Sequence, residues 1–141
     1  MILPGPILII DDDIDDQEIL GEAFREIGID SELLYFNRSD EVFKFLKTTP
    51  KHPFLIISDI NLPGENGIDF KKRIDADPQL RQKSIPFVFL STAISRYAIE
   101  KAYNQMTVQG FFKKAVTYAD LKNDLDIVLQ YWRRCRHPNT R

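Results

Sequence analysis

Short apolar runs, four of the five leading into a charged or hydroxyl residue, alternate with amphipathic stretches along the whole chain, and this limits most sharply what the sequence can fold into. Ile7–Ile10 is a continuous apolar run, the pattern of a strand buried on both faces, and Pro4, Gly5 and Pro6 block its backward extension. After three aspartates, Ile19, Leu20, Ala23, Phe24 and Ile27 recur at helical spacing, with Gly28 where a left-handed C-terminal cap belongs. The alternation continues through a strand at 33–36, a helix capped by Ser39 and carrying Val42, Phe43 and Leu46, and a strand at 54–58 that runs into Asp59. A helix over about 68–76 follows, then a polar stretch at 77–84 expected as loop, and a strand at 87–90 leading into Ser91 and Thr92. Ala98, Ile99, Ala102, Tyr103 and Met106 mark the fourth helix, 108–112 the fifth strand, and Leu121, Leu125, Val128, Leu129 and Trp132 the last helix. Thr117, with Asp120 three residues on, resembles a capping box at its start.

Five βα units predict an α/β fold: a five-stranded parallel sheet covered by helices on both faces. Right-handed crossovers favour an open, doubly wound sheet of order 2-1-3-4-5 with five helices. The eight units of a closed barrel do not fit into 141 residues. The chain reads as one domain, 1–141, with its core at about 7–132 and a short basic tail at 133–141. About nine residues follow Trp132, too few for an appended DNA-binding module, so action through protein association is expected.

Composition removes several function classes. A net charge of −2 argues against a surface built for nucleic acid. The single cysteine, Cys135, excludes a disulfide framework and a cysteine-based zinc site. His52 and His137 lie far apart in Lys-His-Pro and Arg-His-Pro contexts, poor material for a catalytic triad or a histidine metal cluster. No apolar run approaches the roughly 18 residues of a membrane span, and the start lacks the basic flank of a signal peptide, so a cytoplasmic location is expected.

In open α/β sheets, ligands bind beyond the carboxyl ends of the strands, where the strand order reverses. In the predicted order the first and third strands meet at that point, which brings Asp11 and Asp12 to Asp59; Asp13 stands beside them. Carboxylates so crowded stay ionised together only when a cation joins them, and an all-oxygen donor set with no His or Cys selects Mg²⁺, with Ca²⁺ or Mn²⁺ as competitors. Ser91 and Thr92 end the fourth strand, and Lys113 and Lys114 end the fifth. A carboxylate beside a metal, a hydroxyl and a lysine are the parts needed for phosphoryl transfer.

With its Ile9-Ile-Asp-Asp-Asp13, Ile57-Ser-Asp-Ile-Asn-Leu-Pro-Gly64, Asn66-Gly67, Leu90-Ser-Thr-Ala93 and Gly110-Phe-Phe-Lys-Lys114 motifs, the chain resembles a response-regulator receiver domain of two-component signalling over about residues 7–132. The resemblance implies a flavodoxin-like fold. It implies that Asp59 accepts phosphate and that Asp11 and Asp12 hold Mg²⁺, helped by Asp59 and the backbone carbonyl of Asn61. Thr92 would be the switch hydroxyl, Lys114 the phosphate-pairing lysine and Phe111 the rotating aromatic. The implied partners are a sensor histidine kinase or histidine phosphotransfer protein, with no direct nucleic-acid or membrane binding. A homodimer through the face of the fourth helix, fifth strand and last helix is a further possibility. Receivers usually carry proline after the strand-five lysine, often with a cis bond; here the residue is Ala115, for which a trans bond is favoured by about 2.5–4 kcal/mol.

Three rival readings stay open on the residues alone. Asp11-x-Asp13 also resembles haloacid-dehalogenase phosphatases, with Asp11 as nucleophile, although the late acidic pair of that family is missing. The chain could be a receiver-like binding module that takes no phosphate. Asp11–Asp13 could simply cap the first helix, Asp59 begin a turn, Lys113 and Lys114 be solvated, and Phe111 belong to the core. Ile94, two residues past Thr92, is expected near the mouth of the site, where a branched apolar side chain would exclude water and lengthen the life of an acyl phosphate.

Overall fold

The computed structural model describes residues 2–92, 96–105 and 110–136. Strands β1 (Ile7–Ile10), β2 (Leu33–Phe36), β3 (Leu55–Ser58), β4 (Phe87–Ser91) and β5 (Gly110–Lys113) form one parallel sheet in the order β2-β1-β3-β4-β5. Helices α1 (Ile14–Glu26), α2 (Ser39–Thr48), α3 (Gly67–Ala76), α4 (Pro78–Lys83), α5 (Arg96–Gln105) and α6 (Tyr118–Arg134) connect and follow the strands. Strand order and class match the sequence reading.

Alternate residues of the central strands feed two cores. Ile7, Ile9, Leu55, Ile57, Val88 and Leu90 pack toward α1 and α6, meeting Phe24 and Leu125 among others. Leu8, Ile10, Ile56, Phe87 and Phe89 pack the other way, against Val42, Leu46, Ile68, Phe70, Ile74 and Leu80 of α2, α3 and α4. β1, β3 and β4 are buried along their whole length, because both faces of the sheet are covered.

Local chemistry explains the element ends. Gly28 adopts φ +95°, and its N–H and that of Ile29 donate to the carbonyls of Arg25 and Phe24, while Ile29 packs into the same core as Phe24. That is a Schellman end for α1, at the glycine where the cap was expected. Thr117 accepts a hydrogen bond from the Asp120 N–H, as its spacing predicted.

Two expectations need correction. The stretch 77–84, expected as loop, contains α4: the Asp77 carboxylate accepts from the Leu80 N–H and Pro78 opens the helix, the favoured pairing of an acidic cap with proline at the first turn. Six helices therefore stand where five were expected. Ser39 does not cap α2. Arg38 holds the cap position without a side-chain bond to the helix N–H groups, while the buried Ser39 hydroxyl donates to Glu65 on the loop before α3. A tertiary acceptor outcompetes the local one. The expected strand at 108–112 is described from Gly110 onward; residues 108 and 109, like Met106, lie outside the described residues.

Candidate functional site

Strand alternation aims the functional side chains. Asp11, Asp59 and Lys114 each follow by two residues a side chain of the α1–α6 core, namely Ile9, Ile57 and Phe112. They therefore leave the carboxyl edge of the sheet on one side. Asp11, Asp12 and Asp59 each bring a carboxylate oxygen to within 4.8 Å of the others. Asp11 and Asp59 are buried and Asp12 is exposed. Asp13 stays outside the cluster and caps α1 by accepting from the Asp15 N–H at 2.8 Å. The acidic run thus divides its labour: the site takes its first two members and the helix takes the third.

Each buried carboxylate is fixed differently. Asp11 uses both oxygens, Oδ1 accepting from the Asp13 N–H at 3.0 Å and Oδ2 from Lys114 Nζ at 2.8 Å. Its backbone is anchored too, because the N–H donates to the Phe36 carbonyl and Gln17 Nε2 donates to its carbonyl. Asp59 Oδ1 accepts from the Ser91 hydroxyl at 2.8 Å and from the Asn61 N–H at 3.3 Å. Its Oδ2 lies 3.6 Å from Lys114 Nζ, an ion pair beyond hydrogen-bond length. Asn61 therefore enters the site through its amide.

Burial pushes the Asp11 carboxyl up, against the pull of its bonds to Lys114 and to the Asp13 amide. Burial would lower Lys114, but hydrogen bonds to Asp11 and Asp16 and the nearby negative charge prevail and raise it, so the ammonium stays charged. Three carboxylates, those of Asp11, Asp16 and Asp59, pair with this one ammonium, and a fourth, that of Asp12, joins the cluster through Asp11 and Asp59. The excess negative charge and the exclusively oxygen donor set suit a hard divalent cation, and Asp11, Asp12 and Asp59 are the residues placed to hold it.

Thr92 follows Ser91 directly at the end of β4 and is exposed. Phe111 is half-buried on the opposite face of β5, its ring 5.2 Å from that of Phe89. The Lys114–Ala115 peptide is trans, like every other described peptide bond. Ile94 lies outside the described residues.

Three contributors escaped the sequence reading. In sequence Ser91 marks only the end of a strand, yet its buried hydroxyl holds Asp59. Asp16, 98 residues from Lys114, accepts from its ammonium at 2.9 Å. Gln17 ties β1 to β2 by donating to the carbonyls of Asp11 and Phe36. An acidic residue in the first turn of a helix signals dipole compensation, and nothing in the sequence marks such a residue as the partner of a lysine after β5.

Comparison with known proteins places these features in a family context. Residues 7–126 match the response regulator receiver domain. The chemotaxis protein CheY-3 of Vibrio cholerae is 33% identical over 128 residues, covering 88% of this chain and 91% of that protein. The crystal structure of the phosphorylated cyanobacterial phytochrome response regulator RcpA superposes with a TM-score of 0.84 at 23% identity, over 98% of this chain and 100% of that one. The Mn²⁺-bound form of response regulator Rcp1 gives a TM-score of 0.79 at 25% identity, over 95% and 98%.

Proposed function

The chain belongs to the response regulator receiver domain family, and from that premise we propose that it accepts a phosphoryl group on Asp59 from a histidine-bound phosphate of a sensor kinase or phosphotransfer protein. The observation that carries the choice of Asp59 is the state of the two buried carboxylates. Asp11 spends both oxygens on hydrogen bonds, whereas Asp59 keeps Oδ2 without a donor at hydrogen-bond distance among the described residues. Of these four oxygens Asp59 Oδ2 is the one with no described donor at hydrogen-bond length, which favours it as nucleophile over a hydrolase that uses Asp11.

The residues divide the work. Asp59 Oδ2 forms the new O–P bond as the P–N bond to the donor imidazole breaks, and the electron pair leaves on that nitrogen. The Asn61 amide and Ser91 hydroxyl fix the other oxygen and so orient the attack. Lys114 and the Thr92 hydroxyl neutralise and bind phosphoryl oxygens. Asp11, Asp12 and Asp59, with the Asn61 carbonyl, would hold Mg²⁺, which supplies charge neutralisation at the transferring group.

Association has two candidate surfaces. A cleft of about 320 Å³ opens beside Lys114 between α1 and the start of α6. Exposed Ile19 and Val116 line it and exposed Ile14 stands on the same helix, giving a donor protein apolar surface next to the acceptor. α5 carries exposed Tyr97 and Tyr103 and α6 exposed Ile127 and Tyr131, and the side of the molecule formed by α5, β5 and α6 is the surface that changes partners or dimerises on phosphorylation. No helix among the described residues is long and apolar enough to cross a membrane. The proposed phosphodonors, the histidine-bearing proteins of two-component signalling, are what put this chain in the cytoplasm on this reading.

Incubation with Mg²⁺ and acetyl phosphate should add one phosphoryl mass, mapped to the peptide holding Asp59. Asp59→Asn should abolish the gain and leave the circular dichroism spectrum unchanged. Phosphate mapped to Asp11 would select the hydrolase, and no gain at any donor concentration would select the binding module.

A further inference from the structure

Lys114 stands between three carboxylates but bonds to two. Its Nζ is 2.8 Å from Asp11 Oδ2, 2.9 Å from Asp16 Oδ2 and 3.6 Å from Asp59 Oδ2. Asp16 sits in the first turn of α1, a helix fixed at both ends by the Asp13 cap and the Gly28 turn. Asp11 is equally fixed by the Asp13 amide. The ammonium is thus drawn to the α1 side of the site by two anchored acceptors.

Resting on the assignment of Asp59 as acceptor, we propose that Asp16 is a positioning residue whose carboxylate holds Lys114 off Asp59 Oδ2 and so keeps that oxygen free to attack phosphorus. Without Asp16, the ammonium keeps its bond to Asp11, and the freed N–H has Asp59 Oδ2 as the next carboxylate in reach. A shift of about 0.7 Å brings that pair to ordinary hydrogen-bond length. A carboxylate oxygen that accepts a charge-assisted hydrogen bond has its lone pair engaged and is a poorer nucleophile. Asp16 is half-exposed, so it can release the ammonium when phosphoryl oxygens arrive and offer Lys114 better acceptors.

The test is the rate of phosphoryl uptake from acetyl phosphate at saturating Mg²⁺, read by intact mass. Asp16→Ala should slow uptake about 3- to 10-fold, and Asp16→Asn, which keeps an acceptor, should slow it less. The slowing should vanish when both chains also carry Lys114→Ala, since Asp16 acts through Lys114. Uptake by Asp16→Ala as fast as by the parent, or slowing that persists in full without Lys114, overturns the proposal. A crystal structure of Asp16→Ala decides independently of labelling. Lys114 Nζ within hydrogen-bond distance of Asp59 Oδ2 supports the proposal, and Nζ still standing off overturns it. A parent chain that takes no phosphate on Asp59 would instead refute the acceptor assignment, while the crystal structure would still report where Lys114 goes.

Discussion

The acidic cluster is stable only as a compromise among charges. Three carboxylates converge within 4.8 Å, and Lys114 balances just part of their charge. Divalent metal binding to the folded state should therefore raise the melting temperature, by the equivalent of about 2.7 kcal/mol at a hundredfold excess over Kd. Asp12→Ala should shrink that rise while raising the melting temperature of the metal-free chain, because it removes one repelling charge. Scanning calorimetry with and without millimolar Mg²⁺ checks both, and identical melts would reject the site. A second charge lies far from this cluster. Lys71 is 4% exposed, bonded to Asp75 at 2.9 Å and 5.2 Å from the Phe87 ring centre. Burial lowers its pKa below the ordinary 10.5, despite the pull of Asp75. The folded state then binds this proton more weakly than the unfolded state, so Lys71's contribution to stability should increase as pH rises from its lowered value to 10.5. The stability difference between the parent and Lys71→Met, from urea unfolding at pH 8 to 10.5, should widen in the parent's favour. A flat difference would show that Lys71 titrates as it does in water.

Among the elements, α3 carries the tightest constraint on the site. Its first residue, Gly67, lies so close to β3 that a Cβ there would stand 2.4 Å from the Asp59 carbonyl oxygen and 3.0 Å from the Phe89 ring. The obstacle is backbone, so it cannot rotate away. Gly67→Ala should cost about 1–3 kcal/mol by overpacking and also displace Asp59. Chemical denaturation measures the first effect and slower phosphoryl uptake the second; a neutral substitution would mean that α3 can slide along the sheet. α4 depends on a cap instead. Asp77→Ala removes the bond to the Leu80 N–H and the 2.9 Å pair with Lys47, and should cost about 0.5–2 kcal/mol. Amide exchange should rise within 78–83 before it rises elsewhere.

For the molecule as a whole, the shared sheet couples the two cores. β1, β3 and β4 supply side chains to both, so neither core can dissolve without exposing the other face of the same strands. Unfolding should be one cooperative transition. Trp132 is the only tryptophan and packs against the α1–α6 core, so its fluorescence reports that side alone. Ile74→Ala, on the opposite core, should cost about 2–5 kcal/mol and shift the Trp132 fluorescence and far-ultraviolet dichroism midpoints together. Midpoints that separate would mean that the two layers melt independently.

The sequence by itself determined the fold class, the strand order and the ends of most elements, because these follow from periodicity, crossover handedness and caps, all read within a few residues. β1 and β2 fall on the predicted residues, and Gly28 and Thr117 end and begin helices where expected. It also brought Asp11, Asp12, Asp59 and Lys114 together, since a parallel sheet gathers its strand ends at one edge. What it missed locally, α4, was signalled by the Asp77-Pro78 pair but outweighed by the polarity of the stretch. The tertiary structure decided which hydroxyl holds Asp59, which carboxylate shares Lys114, and that Ser39 serves Glu65 instead of its own helix. Those choices depend on distances between residues 26 to 98 positions apart, and a hydrogen bond is won or lost within half an ångström, a margin that no one-dimensional pattern encodes.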